Sequence, residues 1–228
     1  VRILALETTE RVGSVAAWSE GKLLLEKDLS ITKRSAQTLA PAILELLGRV
    51  EWRPEDVQLV AVTEGPGSFT GLRVGVATAK SFAYAVGAEV LGIDTLETVA
   101  AASPAEVIHV SVAVDAQRGD VVTGPFERAE HGWMRPAGPP RLLPINDWLA
   151  GLAPGTAVSG PILRKIAEKR PDRVVMLPES CWRPTAGNVA RLAARDHAAG
   201  RRQDLWSFVP RYSRRAAAEE KLERRRTE

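Results

Sequence analysis

The run Glu64-Gly65-Pro66-Gly67-Ser68-Phe69-Thr70-Gly71-Leu72-Arg73-Val74-Gly75-Val76-Ala77-Thr78-Ala79-Lys80 decides how the chain is read. A glycine-rich turn passes into a segment whose small residues Gly71, Gly75, Ala79 and Ala83 recur four apart, stacked on one helical face. Glycine inside a helix costs about 1 kcal/mol relative to alanine. Two of them therefore point to close approach of another backbone, either the chain's own sheet or a partner. The turn has a second use on offer, because free N–H groups at a helix start bind anions. A phosphate loop of the G-x-x-x-x-G-K-[ST] type fails, however: counting from Gly65 puts Thr70 at the second glycine, and counting from Gly67 puts Leu72 there. Ser68 reads as the helix cap rather than a nucleophile, since no G-x-S-x-G elbow surrounds it.

Working outward, Arg2 to Leu6 is an apolar run that reads as a buried strand, and Val12–Trp18 and Lys22–Leu29 flank the hairpin signal Ser19-Glu20-Gly21. Ala36, Leu39, Ile43 and Leu47 share one face of a helix over Ser35–Val50, which Pro41 either starts or kinks. A strand at Val57–Thr63, the turn and its helix to about Val86, a strand at Val90–Ile93 and a helix capped by Asp94 or Thr95 complete a β-β-β-α-β-α-β-α order to about Ser103. A second block follows. It has strands at Val107–Val114 and Val121–Phe126, a Pro/Gly-rich loop at His131–Pro140, a strand near Thr156–Val158, a helix at Pro161–Lys169, a strand at Arg173–Leu177 and a helix at Thr185–Ala199. Arg214–Arg226 reads as a basic helical tail or a frayed end. The two blocks, 1–103 and 104–228, read as two versions of one sheet-plus-helix plan.

The 228 residues are 45% hydrophobic and 26% charged, with a net charge of +3, so a large core is affordable and nucleic-acid contact is only weakly favoured. One cysteine, Cys181, excludes an intrachain disulfide. No apolar run is long enough to span a bilayer and no leader is read, so the cytoplasm is the expected location. His109, His131 and His197 lie outside any ligand spacing, which disfavours a zinc or iron enzyme built on histidine. Glu7-Thr8-Thr9 followed by Gly13-Ser14-Val15 suggests a phosphate-facing turn. Its expected counterpart, a second phosphate loop at Asp115, continues as Ala116-Gln117-Arg118 instead of glycine and threonine, and Ser159-Gly160-Pro161 is a thin candidate for an adenosine loop. Half a nucleotide site is present.

Ile3-Leu4-Ala5-Leu6-Glu7-Thr8-Thr9, Gly13-Ser14-Val15-Ala16, Gly65 through Lys80 and Leu91-Gly92-Ile93 together resemble the TsaB family, also called YeaZ. Asp115-Ala116-Gln117-Arg118-Gly119-Asp120-Val121 and Pro210-Arg211-Tyr212-Ser213-Arg214 extend the resemblance more weakly into the second half. The resemblance implies the two-lobed α/β fold of actin and Hsp70 (ASKHA, RNase H-like), each lobe a mixed sheet with helices. It also implies a non-catalytic scaffold subunit of the bacterial complex that makes threonylcarbamoyladenosine on tRNA. Such a subunit binds a TsaD-like catalytic relative, is joined by a TsaE-like ATPase, forms a homodimer when alone, touches tRNA indirectly or weakly, and carries no cofactor. The sequence departs from the family pattern at Glu7 (usually aspartate), Ser35 (commonly histidine), Gln117, Asp120 and Val122.

The partner surface expected from this comprises Ser35, Leu39, Ile43, Phe69, Gly71, Leu72, Gly75, Val76, Ala79 and Ala83, with Glu7, Thr8 and Thr9 as a vestigial phosphate site. The alternative left open by the residues is an actin-like ATPase, kinase or transferase with its own nucleotide site. A third reading is direct tRNA contact through Arg201, Arg202, Arg211, Arg214 and Arg215, which would be strongly salt-dependent.

Overall fold

The structure, a computed structural model, describes residues 1–30, 35–167 and 173–213, with Ser35 and Ala36 described by backbone alone. Among these residues the chain builds two mixed sheets. The first contains β1 (Ile3–Glu7), β2 (Ser14–Ser19), β3 (Lys22–Asp28), β4 (Leu59–Gly65) and β5 (Glu89–Asp94), in the order β3-β2-β1-β4-β5. Strand β2 runs antiparallel to both neighbours, whereas β1, β4 and β5 are mutually parallel. The second sheet contains β6 (His109–Asp115), β7 (Asp120–Arg128), β8 (Met134–Pro136), β9 (Arg141–Pro144), β10 (Thr156–Ser159) and β11 (Val174–Met176). Its order β11-β10-β6-β7-β8 repeats the first plan. The place of the third strand is shared by β8, on Phe126–Arg128, and β9, on Asp120–Thr123.

Helices complete the repetition. After the first three strands come α1 (Ser35–Arg49), α2 (Phe69–Val86) and α3 (Thr95–Ala100); their counterparts are α4 (Ile145–Gly151), α5 (Leu163–Ile166) and α6 (Ala186–Ala198). The result is a two-lobed α/β molecule. Strand β1 is an unbroken apolar run because both its faces are covered. Leu4 and Leu6 meet α1 and α2 on one side, with Leu39, Ile43, Leu46, Val76, Ala79 and Ala83. Ile3 and Ala5 meet α6 on the other, with Ala186, Val189, Ala190 and Ala193.

The third helices are exchanged. Leu96, Val99 and Ala100 of α3 pack with Val110, Val112 and Phe126 of the second sheet, while α6 returns from the end of the chain to cover the first. Arg128 holds the crossing segment by donating to the carbonyls of Ser103, Pro104, Val107 and Gly132.

Several elements differ from the sequence expectation. Helix α1 runs through Pro41 as one element. The N–H that proline lacks would have bonded the Gln37 carbonyl, and Gln37 is exposed to water. The stretch read as loop at His131–Pro140 contains β8, and β9 and α4 follow it unannounced. Of the helix expected at Pro161–Lys169, Leu163–Ile166 is described as helical; residues 168–172 and the tail from 214 onward lie outside the described residues.

Candidate functional site

The turn after β1 and the start of α2 are built against each other. Ser68 caps α2 by accepting from the Gly71 N–H at 3.2 Å, and the Ser68 N–H donates to the Thr9 carbonyl at 3.1 Å. The Thr8 hydroxyl donates to the Gly71 carbonyl at 2.8 Å. A Cβ on Gly71 would collide with the Thr8 carbonyl oxygen, one on Gly75 with the Thr8 hydroxyl, and one on Gly67 would lie 2.5 Å from the Thr9 Cβ. The small-residue stripe is thus matched to the chain's own β1 turn. The start of α2 thus packs directly on Thr8 and Thr9.

Glu7 is fully buried, and its Oε1 accepts from the Thr9 N–H at 2.6 Å and the Thr9 hydroxyl at 2.5 Å. Loss of water around the carboxyl pushes its pKa up to about 8, against the opposing pull of the two Thr9 hydrogen bonds. Burial thus disfavours the charged form of Glu7, the form that a cation would need. Glu10 is raised to about 7, again by burial first, with Asp115 adding to the rise and Arg164 and Lys165 opposing it. Asp115 is engaged: Lys165 Nζ lies 2.5 Å from Oδ2, and the Gln117 N–H donates to Oδ1 at 2.9 Å. Gln117 and Arg118 both take positive φ, so the loop is a tight reversal. Ser159-Gly160 is a packing joint: Ser159 donates to the Cys181 carbonyl at 2.8 Å, and a Cβ on Gly160 would strike the Ala113 carbonyl. Among the described residues no three of His, Cys, Asp and Glu gather as a metal site.

The expected partner residues divide by face. Gly71, Leu72, Gly75, Val76, Ala79, Ala83, Leu39 and Ile43 are buried within the chain itself. That corrects the spacing argument: the stripe of small residues is the inner face of α2, and a partner approaching this helix would not reach it. Phe69 is half-buried and reaches the surface; the Ser35 side chain lies outside what is described. The outward face of α2 carries Thr70, Arg73, Ala77, Ser81 and Tyr84.

Sequence reasoning missed what lies beside that face. The segment Gln203–Ser213 forms a strap over the first lobe. Phe208 enters the core next to α2. Lys80 Nζ donates to the carbonyls of Trp206 and Phe208, and the Arg211 N–H donates to the Glu64 carbonyl at 2.7 Å. Gly65, first in the decisive run, is glycine for this reason: at φ 128° a Cβ there would strike the Arg211 carbonyl. Arg211 also pairs with Glu64 at 2.9 Å and Asp94 at 3.4 Å. These three residues, with Glu97, Phe126 and Arg201, line a cleft of about 250 Å³ between the lobes. The apolar residues Trp206, Phe208 and Val209 were a signal in the sequence, but without a helix or strand period they named no face.

The arginines proposed for tRNA are largely committed. Arg201 pairs with Asp196, Arg202 with Glu89 and Arg211 with Glu64; Arg214 and Arg215 lie outside the described residues. Among the described residues no helix is long and apolar enough to cross a membrane.

Comparison with known proteins places these features. The family model described as TsaD, tRNA N6-adenosine threonylcarbamoyltransferase, matches residues 29–183. The tRNA threonylcarbamoyladenosine biosynthesis protein TsaB of Bacillus subtilis (strain 168) is 31% identical over 147 residues, which is 64% of this chain and 64% of that protein. TsaB of Escherichia coli (strain K12) is 31% identical over 134 residues, 58% of each chain. The matched region thus spans less than two thirds of either curated relative. Among solved structures, a Pseudomonas aeruginosa protein described as similar to peptidase YEAZ is 30% identical, covering 93% of this chain and 99% of its own, with a TM-score of 0.80. YeaZ from Pseudomonas aeruginosa has a TM-score of 0.79 at 29% identity, covering 92% of this chain and 99% of its own.

Proposed function

The chain belongs to the TsaB/YeaZ branch of the family that the threonylcarbamoyltransferase model describes, and from that premise we propose that it is a non-catalytic partner subunit in the synthesis of threonylcarbamoyladenosine on tRNA. It binds a TsaD-like catalytic subunit through its first lobe, with a TsaE-like ATPase joining the complex, and pairs with itself when alone. It acts in the cytoplasm. The observation that carries this reading is the filled turn. Glu7 is a fully buried acid bonded to Thr9, whose pKa burial raises, Thr8 and Thr9 pack against the start of α2, and Asp115 is held by Lys165. Chemistry would then reside in the partner, and this chain would contribute a surface.

The test is co-purification of the chain with the TsaD-like protein of the same organism, followed by modification of tRNA in vitro with and without it. The expected outcome is a stable complex and modification that requires both proteins. Tight Mg-ATP binding by the isolated chain, lost in Glu7→Ala, would overturn the reading in favour of an enzyme with its own nucleotide site.

A further inference from the structure

Where α6 crosses to the first lobe, positive charge gathers without carboxylates to match it. Arg191 and Arg195 of α6 lie 5.2 and 5.3 Å from the ring centroid of Trp133. Arg195 pairs with Glu97 and Asp196. Arg191 has no ion pair among the described residues, and its Nη2 donates to the Ala101 carbonyl. Arg128, on β7, is likewise held by carbonyls alone among the described residues, those of Ser103, Pro104, Val107 and Gly132. Burial, then the like charges of Arg128 and Arg195, hold the Arg191 pKa below the ordinary arginine value.

Two donors at this joint are left over. Arg191 Nε and Ser103 Oγ are both shut off from solvent and make no hydrogen bond among the described residues. The segment after α3 brings them together. Arg191 grips the Ala101 carbonyl, and Arg128 Nη2 donates to the carbonyls of Ser103 at 3.2 Å and Pro104 at 2.5 Å. The two guanidiniums thus hold carbonyls two residues apart on one short stretch of chain. A buried polar group without its hydrogen bond is costly, and more so when it is charged. Ser103, Arg128, Trp133 and Arg191 are each only partly buried as residues, so the joint lies just inside the surface.

Two needs meet here. Carbonyls give a guanidinium dipoles but no countercharge, so Arg128 and Arg191 are left electrostatically unmatched. The orphaned N–H and O–H each want an acceptor. A water would accept both hydrogen bonds and leave the charge as it was. An anion answers both, through charge-assisted hydrogen bonds. It must be small, because the two donor atoms are closed to solvent and are reached only past their own side chains.

We infer that a small inorganic anion, of the phosphate or chloride kind, binds at Arg191 Nε and Ser103 Oγ beside the Arg128 guanidinium. It ties α6, which covers the first lobe, to β7 and to the crossing segment, and so pins the exchange of the third helices. The inference goes beyond the reading of the chain as a partner subunit and does not depend on it.

The experiment follows the melting temperature of the native chain by circular dichroism while sodium phosphate or sodium chloride replaces sodium gluconate at constant ionic strength. Gluconate is too bulky for the joint and serves as the reference. At least one of the two small anions is expected to raise the melting temperature by about 3 °C, with saturation, and the two arms show which ion is bound. Arg191→Gln should abolish the rise. Ser103→Ala should change sign with the medium. In gluconate it removes an unpartnered hydroxyl and should melt at or above the native chain; in the effective anion it removes a ligand and should melt below it. Arg49→Gln, which deletes an exposed charge from the last turn of α1, should keep the native rise. If Arg191→Gln does not fold, the sign change in Ser103→Ala decides alone. An equal rise in the native chain and in Ser103→Ala would be a general salt effect and would overturn the inference. No saturable rise with either ion would mean that water fills the joint, and would overturn it too.

Discussion

The two lobes share a topology and have been furnished differently. In the first, the helices after the third and fourth strands have 15 and 18 residues; in the second, their counterparts have 7 and, among the described residues, 4. The third strand of the first sheet is a continuous run of 7 residues, whereas its counterpart is divided into pieces of 3 and 4. A helix the length of α2 has more surface than its sheet can cover. One side is committed to the core by Gly71, Gly75, Ala79 and Ala83, and the other is left for solvent, the strap or a partner. The described part of α5 is a single turn, with Leu163 and Ile166 buried. One plan can therefore leave helix surface free in one copy, with the third strand and the helices both differing in the other.

The largest expected effect strikes what the lobes hold in common, the exchanged third helices. Val189 of α6 and Val99 of α3 are fully buried, each against the sheet of the other lobe. Val189→Asp and Val99→Asp each place an unpaired acid in a core and should cost about 3 kcal/mol or more. Both are expected to lower a single melting transition followed by circular dichroism. Two separate transitions, with only one shifted, would show that the lobes fold independently.

Next comes the asymmetry at glycine. A Cβ on Gly71 meets the Thr8 backbone, whereas one on Gly151, at the end of α4, meets nothing within 4 Å. Gly71→Ala should destabilise by about 1–3 kcal/mol through overpacking, and Gly151→Ala should change stability by no more than about 0.5 kcal/mol. Urea titration of both variants checks this, and equal midpoints would refute the matched turn.

A pH series sharpens the comparison at the buried acid. Glu7 in the folded chain titrates near 8 against an ordinary 4.5. Between those values the folded state keeps a proton that the unfolded chain has released, so stability is greatest at the acid end of the window and falls as pH rises through it. The slope is on the order of 1.4 kcal/mol per pH unit. Glu7→Gln keeps an acceptor for Thr9 and cannot ionise, so its melting temperature should gain on the native chain steadily from pH 5 to pH 8. Parallel curves would mean that Glu7 is ionised when folded. The smallest effect is at the exposed ring of Trp206, where Trp206→Ala should leave stability within about 0.5 kcal/mol by the same urea titration.

The first lobe was legible in the sequence because its physics is local. Strands buried on both faces leave unbroken apolar runs such as Ile3–Leu6, and turns such as Ser19-Glu20-Gly21 punctuate them. The second lobe was less so. Strands β8 and β9 are three and four residues long, each begins or ends at a proline, and they exist through their pairing with β7. Helix α4 buries Trp148 alone, too little to mark a period. At the candidate site, the stripe on α2 was plain, but its mate was not. Periodicity shows that a face is covered without saying by what, and Thr8 lies 63 residues from Gly71. The strap was invisible for a similar reason, since Gln203–Ser213 has neither helical nor strand alternation and is shaped by Glu64, Lys80 and Gly92 far upstream.

The exchange of α3 and α6 has a consequence for how the chain is made. A ribosome delivers the first sheet early, yet the helix that covers its Ile3, Ala5, Leu59 and Leu91 side arrives only with residues 186–198. Throughout synthesis of the second lobe that face stays bare, an apolar surface in search of cover. The nascent chain therefore carries this face uncovered until α6 emerges, and the first lobe is completed only after residues 186–198 have been translated.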